Sequence, residues 1–338
     1  MLTALEMRLS SISGYVMGLL LMLLLSAALP LQAADSAKVQ VNPIQVPNPA
    51  TDLWREVRQR NAVSQGNTQV RGTDTEQLIL ASGEEFRDYR LDYLIPYASY
   101  AIAGVLILLL AVYIVKGRIK IEGGESGQRI KRYSDYERVL HWNMAILFIF
   151  LAITGLILLL GRSVILPLFG HEAFSVIASL CKEGHNLFGP LFLVASVLFF
   201  LSFAVRNIPK AVDFIWVLKG GGIIGGHASA GYFNAGEKIW FWLLMAGGLM
   251  LCTTGIMLIF PNFEQGRDLM QIALVLHGIG ALILIVVSFG HMYIGSIGME
   301  GSLDAMTSGH VDANWVKHHH DLWYDEVIEQ SSKNNNQT

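Results

Sequence analysis

Four histidines lie within or at the edges of long apolar runs: His141, His185, His277 and His291. An ionisable side chain in a membrane span is costly, and it is retained where it has a functional partner. Neutral imidazole ligates haem iron well. His277 and His291 share the run QIALVLHGIGALILIVVSFGHMYIG, residues 271–295, and stand 14 residues apart. On an α-helix that spacing returns to nearly the same face, about 21 Å further along. One helix therefore presents two imidazoles on one side, one near each boundary of a ~30 Å hydrocarbon core.

Depth then sorts the four into pairs. His141 begins a span on the inner side and His291 ends one there. His185 begins a span on the outer side and His277 lies early in the last span, also outer. The expectation is a bis-histidine haem on His141 and His291 and a second on His185 and His277. The sequence has no CxxCH, so two non-covalent b haems are expected, and no cysteine cluster suggests an iron–sulfur centre. Structural histidines bonded to neighbours are the plainer reading of any one of these residues. Two depth-matched pairs favour ligation. Arg138, just before His141, is a candidate partner for a haem propionate and equally a charged anchor at the membrane face. His171, His227 and His310 read as solvated loop residues. His318, His319 and His320 read as a cytoplasmic interaction patch rather than a metal site.

The elements that must carry these residues are membrane helices. The chain of 338 residues is 53% hydrophobic and only 15% charged, with a mean hydropathy of +0.45; soluble domains carry roughly 25% charged residues. A net charge of -3 gives no sign of nucleic-acid binding. Cys181 and Cys252 are not placed to pair. Residues 1–34 carry Arg8, an apolar run and PLQAAD, the pattern of a secretory signal peptide. Residues 35–92 are polar and read as an extracytoplasmic extension, too small for much of a core. An extra span over 93–116 and a basic cytoplasmic loop over 117–138 come next. Spans at about 141–161, 187–206, 239–260 and 271–295 make a four-helix haem domain over 139–296, and 297–338 is a polar tail ending in a disordered-looking SSKNNNQT. The fold class expected is an all-α membrane protein, a dihaem four-helix bundle. Lys and Arg concentrate in 116–138 and 206–238, which puts those loops and the C-terminus in the cytoplasm of a bacterial cell and the N-terminal segment in the periplasm.

Small residues would let haem rings approach the backbone. Gly184, Gly189, Gly278 and Gly280 flank the outer ligands, Gly290 and Gly295 the inner ones, and Thr154-Gly155 and Thr254-Gly255 lie mid-span; helix–helix packing explains such residues as well. The segments 137–155 and 237–255 align without a gap at an offset of 100, matching Glu137 with Glu237, Trp142 with Trp242, Thr154 with Thr254 and Gly155 with Gly255. This suggests a bundle built from two related helical hairpins, in which Phe241 stands where His141 stands.

Over about 135–330 the sequence resembles the gamma (cytochrome b) subunit of respiratory formate dehydrogenases. The residues that carry the resemblance are RVLHW around His141, HNLFG at 185–189, YFNAGEK at 232–238, LHGIG at 276–280, HMYIG at 291–295 and WVKHHHDLWY at 315–324. The tail departs from the family at His318 and Asp321, where many members are more basic. The resemblance implies an electron-transfer subunit rather than a complete enzyme. A molybdenum or tungsten alpha subunit would oxidise formate outside the membrane, and an iron–sulfur beta subunit would pass electrons inward. It also implies a menaquinone or ubiquinone site beside the inner haem, matching Asn234 and Gly236 with His291 contributing. By themselves Asn234 and Gly236 read equally as a turn and helix cap. A dihaem subunit serving a hydrogenase or thiosulfate reductase is the nearest alternative, and a transporter or channel is the alternative of another class.

Overall fold

A computed structural model describes residues 81–222, 227–261 and 265–335. All lie in one unit, Leu78–Thr338. The expected signal peptide and residues 35–80 of the expected extension fall outside the described residues.

Helix α1 (Ala81–Asp88) passes through a π-helical turn, Tyr89–Leu94, into α2 (Ile95–Lys116) without a break. Helix thus already covers 81–92, which the expectation assigned to the extension. Pro96 lies just past the π-turn, where the helical hydrogen-bond pattern is already interrupted, and Gly117 closes the helix at φ 68. Leu106, Ile107, Leu108, Leu110, Ile114 and Val115 are all exposed, so α2 is apolar around its circumference, as a lipid-facing helix is.

Helix α3 (Asp135–Phe203) runs for 69 residues and is broken at Gly170, whose φ of 80 and ψ of 175 no helix tolerates. Pro167 lies just ahead of the break. The chain doubles back there: Phe174 packs on Gly161, Phe188 on Phe150 and Phe192 on Phe148, with ring centroids 4.7 and 6.4 Å apart in the two aromatic pairs. The 162–184 loop expected between two spans is thus helical nearly throughout. It is apolar enough to continue both helices, and a single glycine makes the reversal. His171 consequently sits on a helix, although it remains exposed.

Beyond a short helix, α4 (Ala211–Leu218), a second antiparallel hairpin is made by α5 (Ala235–Ile259) and α6 (Arg267–Tyr293). Gly247 admits Leu284, which is 1% exposed. The second arm of α3 meets α5 through Phe199, Phe200 and Phe192 against Phe241 and Gly248. Among the described residues four runs are long and apolar enough to cross a membrane: Gly83–Lys116, Asp135–Phe203, Ala235–Ile259 and Arg267–Gly298.

The basic loop and the tail, expected to be separate, form one cap. Strand β1 (Arg129–Lys131) pairs antiparallel with β2 (His310–Asp312), and Ile119 bridges Met299. The short helices α7 (Ser302–Thr307) and α8 (Ala313–His319) and the longer α9 (Asp321–Asn335) complete it. The Asp312 carboxylate accepts from Ser126 N, Gly127 N, Ser126 Oγ and Asn314 N at 2.9–3.1 Å, capping α8 and tying it to the loop. Burial alone would raise its pKa, but these donors hold it below the usual carboxylate value. The disordered end expected from Ser331 is helical through Asn335.

At the centre of the cap is Arg132, whose side chain is 3% exposed. It donates to Glu237 Oε1 at 2.9 Å and to Tyr232 O at 3.0 Å. The rings of Tyr133, Tyr232, Phe233, Trp315 and Trp323 surround it at 5.2–5.9 Å, an arrangement that recovers part of the lost hydration by cation–π attraction. The expectation for the triple histidine fails at His319 and His320, whereas His318 keeps a partly exposed ring 3.2 Å from Glu122. His320 is buried, with Nδ1 2.8 Å from Gly231 O, and His319 packs on Trp315. These rings are structural parts of the cap rather than a surface patch.

Candidate haem-binding histidine pairs

The four membrane histidines come together in twos. The rings of His141 and His291 have centroids 6.3 Å apart, on the side of the bundle that carries the cap. Those of His185 and His277 are 6.0 Å apart, on the far side. An imidazole nitrogen bonds a metal at roughly 2 Å. Two rings flanking one iron therefore have centroids a little over ~6 Å apart, and both pairs have that spacing. Among the described residues no group of three or more His, Cys, Asp or Glu gathers as a metal cluster. The arrangement is one of opposed pairs, as axial haem ligation requires.

The far-side pair is built identically from each hairpin. Thr154 Oγ1 donates to Phe150 O at 2.9 Å, one turn back, and lies 2.9 Å from His185 Nδ1. Thr254 Oγ1 donates to Met250 O at 2.8 Å and lies 3.0 Å from His277 Nδ1. Gly155 and Gly255 each leave room for the ring beside them, where a Cβ would come within 3.3 Å of Cε1. The helix starts match as well. Ser134 and Glu137 form a capping box on α3, and Asn234 and Glu237 form one on α5. Glu137 also pairs with Arg206 and Glu237 with Arg132. The offset of 100 seen in the sequence is a structural repeat.

The cap-side pair is supported differently. His141 Nδ1 is buried with no hydrogen-bond partner, and Trp240 stacks on His291 with centroids 5.3 Å apart. The glycines divide between the two roles expected of them. Gly184 packs on Phe150, Gly278 on Leu94 and Gly280 on Met250, whereas nothing lies within 4 Å of a Cβ placed on Gly189, Gly290 or Gly295. The last three leave open space beside the histidines, the kind of gap a planar macrocycle fills.

Arg138, the candidate propionate partner or charged anchor, is tied to protein groups at the head of α3. It donates to Asp135 at 2.8 Å, Thr307 O at 2.6 Å and Met306 O at 3.3 Å, clamping the end of α7 to the head of α3. Asn234 serves as a cap: its Oδ1 accepts from Glu237 N at 2.9 Å, and its amide nitrogen plays no part in that bond. Gly236 lies under Trp216 of α4, whose ring a Cβ would meet at 3.2 Å. Trp216 and Trp240 were not singled out from sequence. The signal for Trp240 was its position in the repeated segment beside Phe241.

A family model for prokaryotic cytochrome b561 matches residues 132–309, more than half of the chain. The chain belongs to that family: it is a cytochrome b, the class that carries haem b, and a multi-pass membrane protein. Among characterised proteins it is similar to the cytochrome b556 subunit of the nitrate-inducible formate dehydrogenase of Escherichia coli K12, 29% identical over 211 residues that cover 60% of this chain and 94% of the relative. A second E. coli K12 formate dehydrogenase cytochrome b556 subunit is 28% identical over 209 residues, 60% and 96% of the two chains. The formate dehydrogenase cytochrome b556 subunit of Haemophilus influenzae is 29% identical over 212 residues, 59% and 84%. The resemblance read from the motifs is therefore upheld.

Proposed function

We propose that this chain is the membrane-anchoring cytochrome b subunit of a formate dehydrogenase, taking electrons from an iron–sulfur subunit and delivering them to membrane quinone. The observation that carries the proposal is the pair of opposed histidine sites, at 6.0 and 6.3 Å, in a chain similar along most of the length of formate dehydrogenase b subunits.

His185 and His277 would hold one haem b and His141 and His291 the second. When bound, each haem supplies reversible one-electron chemistry. The protein orients the imidazoles, and its apolar helices exclude water between the two sites. The roughly 21 Å rise between His277 and His291 sets the distance along the membrane normal. Asn234 and Gly236 are the proposed quinone residues, with menaquinone or ubiquinone as acceptor. The carboxamide nitrogen of Asn234, which the helix cap does not use, is the donor suited to a quinone carbonyl. Formate chemistry belongs to a separate molybdenum or tungsten subunit. The bias of Lys and Arg supports a periplasmic N-terminal segment behind a signal peptide and a cytoplasmic C-terminus in the inner membrane.

The test is to add formate to membranes containing the native complex and to follow b-haem absorbance. Reduction by formate, lost on deleting the catalytic subunit, is the expected result. Reduction by hydrogen or thiosulfate alone would reassign the donor. A folded chain purified without a haem Soret band would replace the reading with a transporter or channel.

A further inference from the structure

Thr154 and Thr254 make the same contact in both hairpins at the far-side histidine pair, and that contact has a direction. A threonine hydroxyl carries one proton. Thr154 gives it to Phe150 O at 2.9 Å, with Leu151 O at 3.2 Å, and Thr254 gives it to Met250 O at 2.8 Å, with Leu251 O at 3.2 Å. The oxygen lone pairs then face His185 Nδ1 at 2.9 Å and His277 Nδ1 at 3.0 Å, the arrangement in which each ring nitrogen is the donor. Nε2 is left as the lone-pair nitrogen in both rings, turned to the same use by the same device. Nothing equivalent exists on the cap side, where His141 Nδ1 is buried without a partner.

We propose that Thr154 and Thr254 are positioning residues for the far-side ligands and that, through these hydrogen bonds, they hold the far-side haem at a lower potential than the cap-side haem. The inference rests on the dihaem reading above. Donation from Nδ1 to an acceptor raises the basicity of the ligating nitrogen and favours the oxidised metal. Two such bonds on the far side and none at His141 make the two sites unequal in a fixed sense. Electrons arriving on the far side would then move toward the cap side with a favourable potential difference, which helps to offset a transmembrane field opposing inward electron movement. The symmetry of the two threonines across the repeat argues against a packing accident. Thr253 beside them is exposed and bonds only its own helix, at Leu249 O.

The experiment is a redox titration of the full complex in wild type, Thr154→Val, Thr254→Val, the double variant, and the Thr→Ser counterparts, with haem quantified per chain. Thr253→Val is the control. The expected result is two haems throughout and an upward shift of the lower of the two midpoint potentials in each Val variant. The shift should be larger in the double variant, restored by Ser and absent in the control. Loss of one haem in the Val variants that Ser restores carries the same meaning. Unmoved potentials in a double variant that keeps both haems, or a loss that Ser does not restore, would overturn the proposal and leave the dihaem reading standing. A wild-type chain without two haems would overturn both.

Discussion

His185 and His277 face each other with ring centroids 6.0 Å apart, one supplied by each of two antiparallel hairpins. Their Nδ1 atoms are held at 2.9 and 3.0 Å by threonines 100 residues apart in sequence. One hairpin plan, used twice, makes this site. The cap-side pair breaks the plan: Phe241 fills the position equivalent to His141 and is buried, while α6 supplies the second histidine of the pair, His291.

Acid should loosen the cap before the bundle. Burial, then the charge of Arg132, pushes His320 down to about 4, and burial, then His318, pushes His319 down to about 4. Both bases hold fewer protons folded than unfolded, so their contribution to stability is complete above the ordinary histidine value near 6.5. It is lost as pH falls from there toward about 4. Amide hydrogen exchange in 310–330 should accelerate over that window while exchange in α5 and α6 stays slow. An equal change in both regions would contradict the expectation.

Arg132→Met keeps much of the side-chain length but removes the charge facing Glu237. The Glu237 side chain is 35% exposed, which screens the orphaned carboxylate and moderates the penalty of breaking a buried pair. A loss of about 2–3 kcal/mol is expected, read as a lower Tm in detergent. The double variant Arg132→Met/Glu237→Gln should recover part of it. No recovery would mean that the aromatic cage, rather than the ion pair, sets the cost.

At Asn234 two roles can be separated. Asn234→Asp keeps an oxygen to accept from Glu237 N and loses the amide donor, whereas Asn234→Ala loses both. The Ala variant should cost about 1 kcal/mol as a lost helix cap. The Asp variant should keep near-normal stability and show impaired quinone reduction. Normal quinone reduction in the Asp variant would leave Asn234 with the cap alone.

The helical-rise argument at His277 and His291 was enough to pair all four membrane histidines, because period and depth are properties of one segment at a time. The repeat was legible for the same reason. The cap was not. Its strands are three residues each, and its central contacts join Arg132 to Glu237, Trp315 and Trp323, residues far apart in sequence whose pairing no local pattern announces. The run His318–His320 is polar by composition and reads as surface. Only the closure of the tail over the bundle buries His320 and packs His319 on Trp315. The reversal between 161 and 187 was expected, but its helical course with the break at Gly170 was missed, because the polar residues near 171 and 182 suggested a loop.

The pairing of ligands is tested most directly by counting haem in alanine variants of the purified chain, from dithionite-reduced minus oxidised spectra. Wild type should hold about two b haems. His185→Ala, His277→Ala and the double variant should each hold about one, with the same reduced band retained in all three, and His141→Ala and His291→Ala should retain the other band. A double His185→Ala/His277→Ala variant that loses both haems, or single variants that lose different ones, would contradict the pairing.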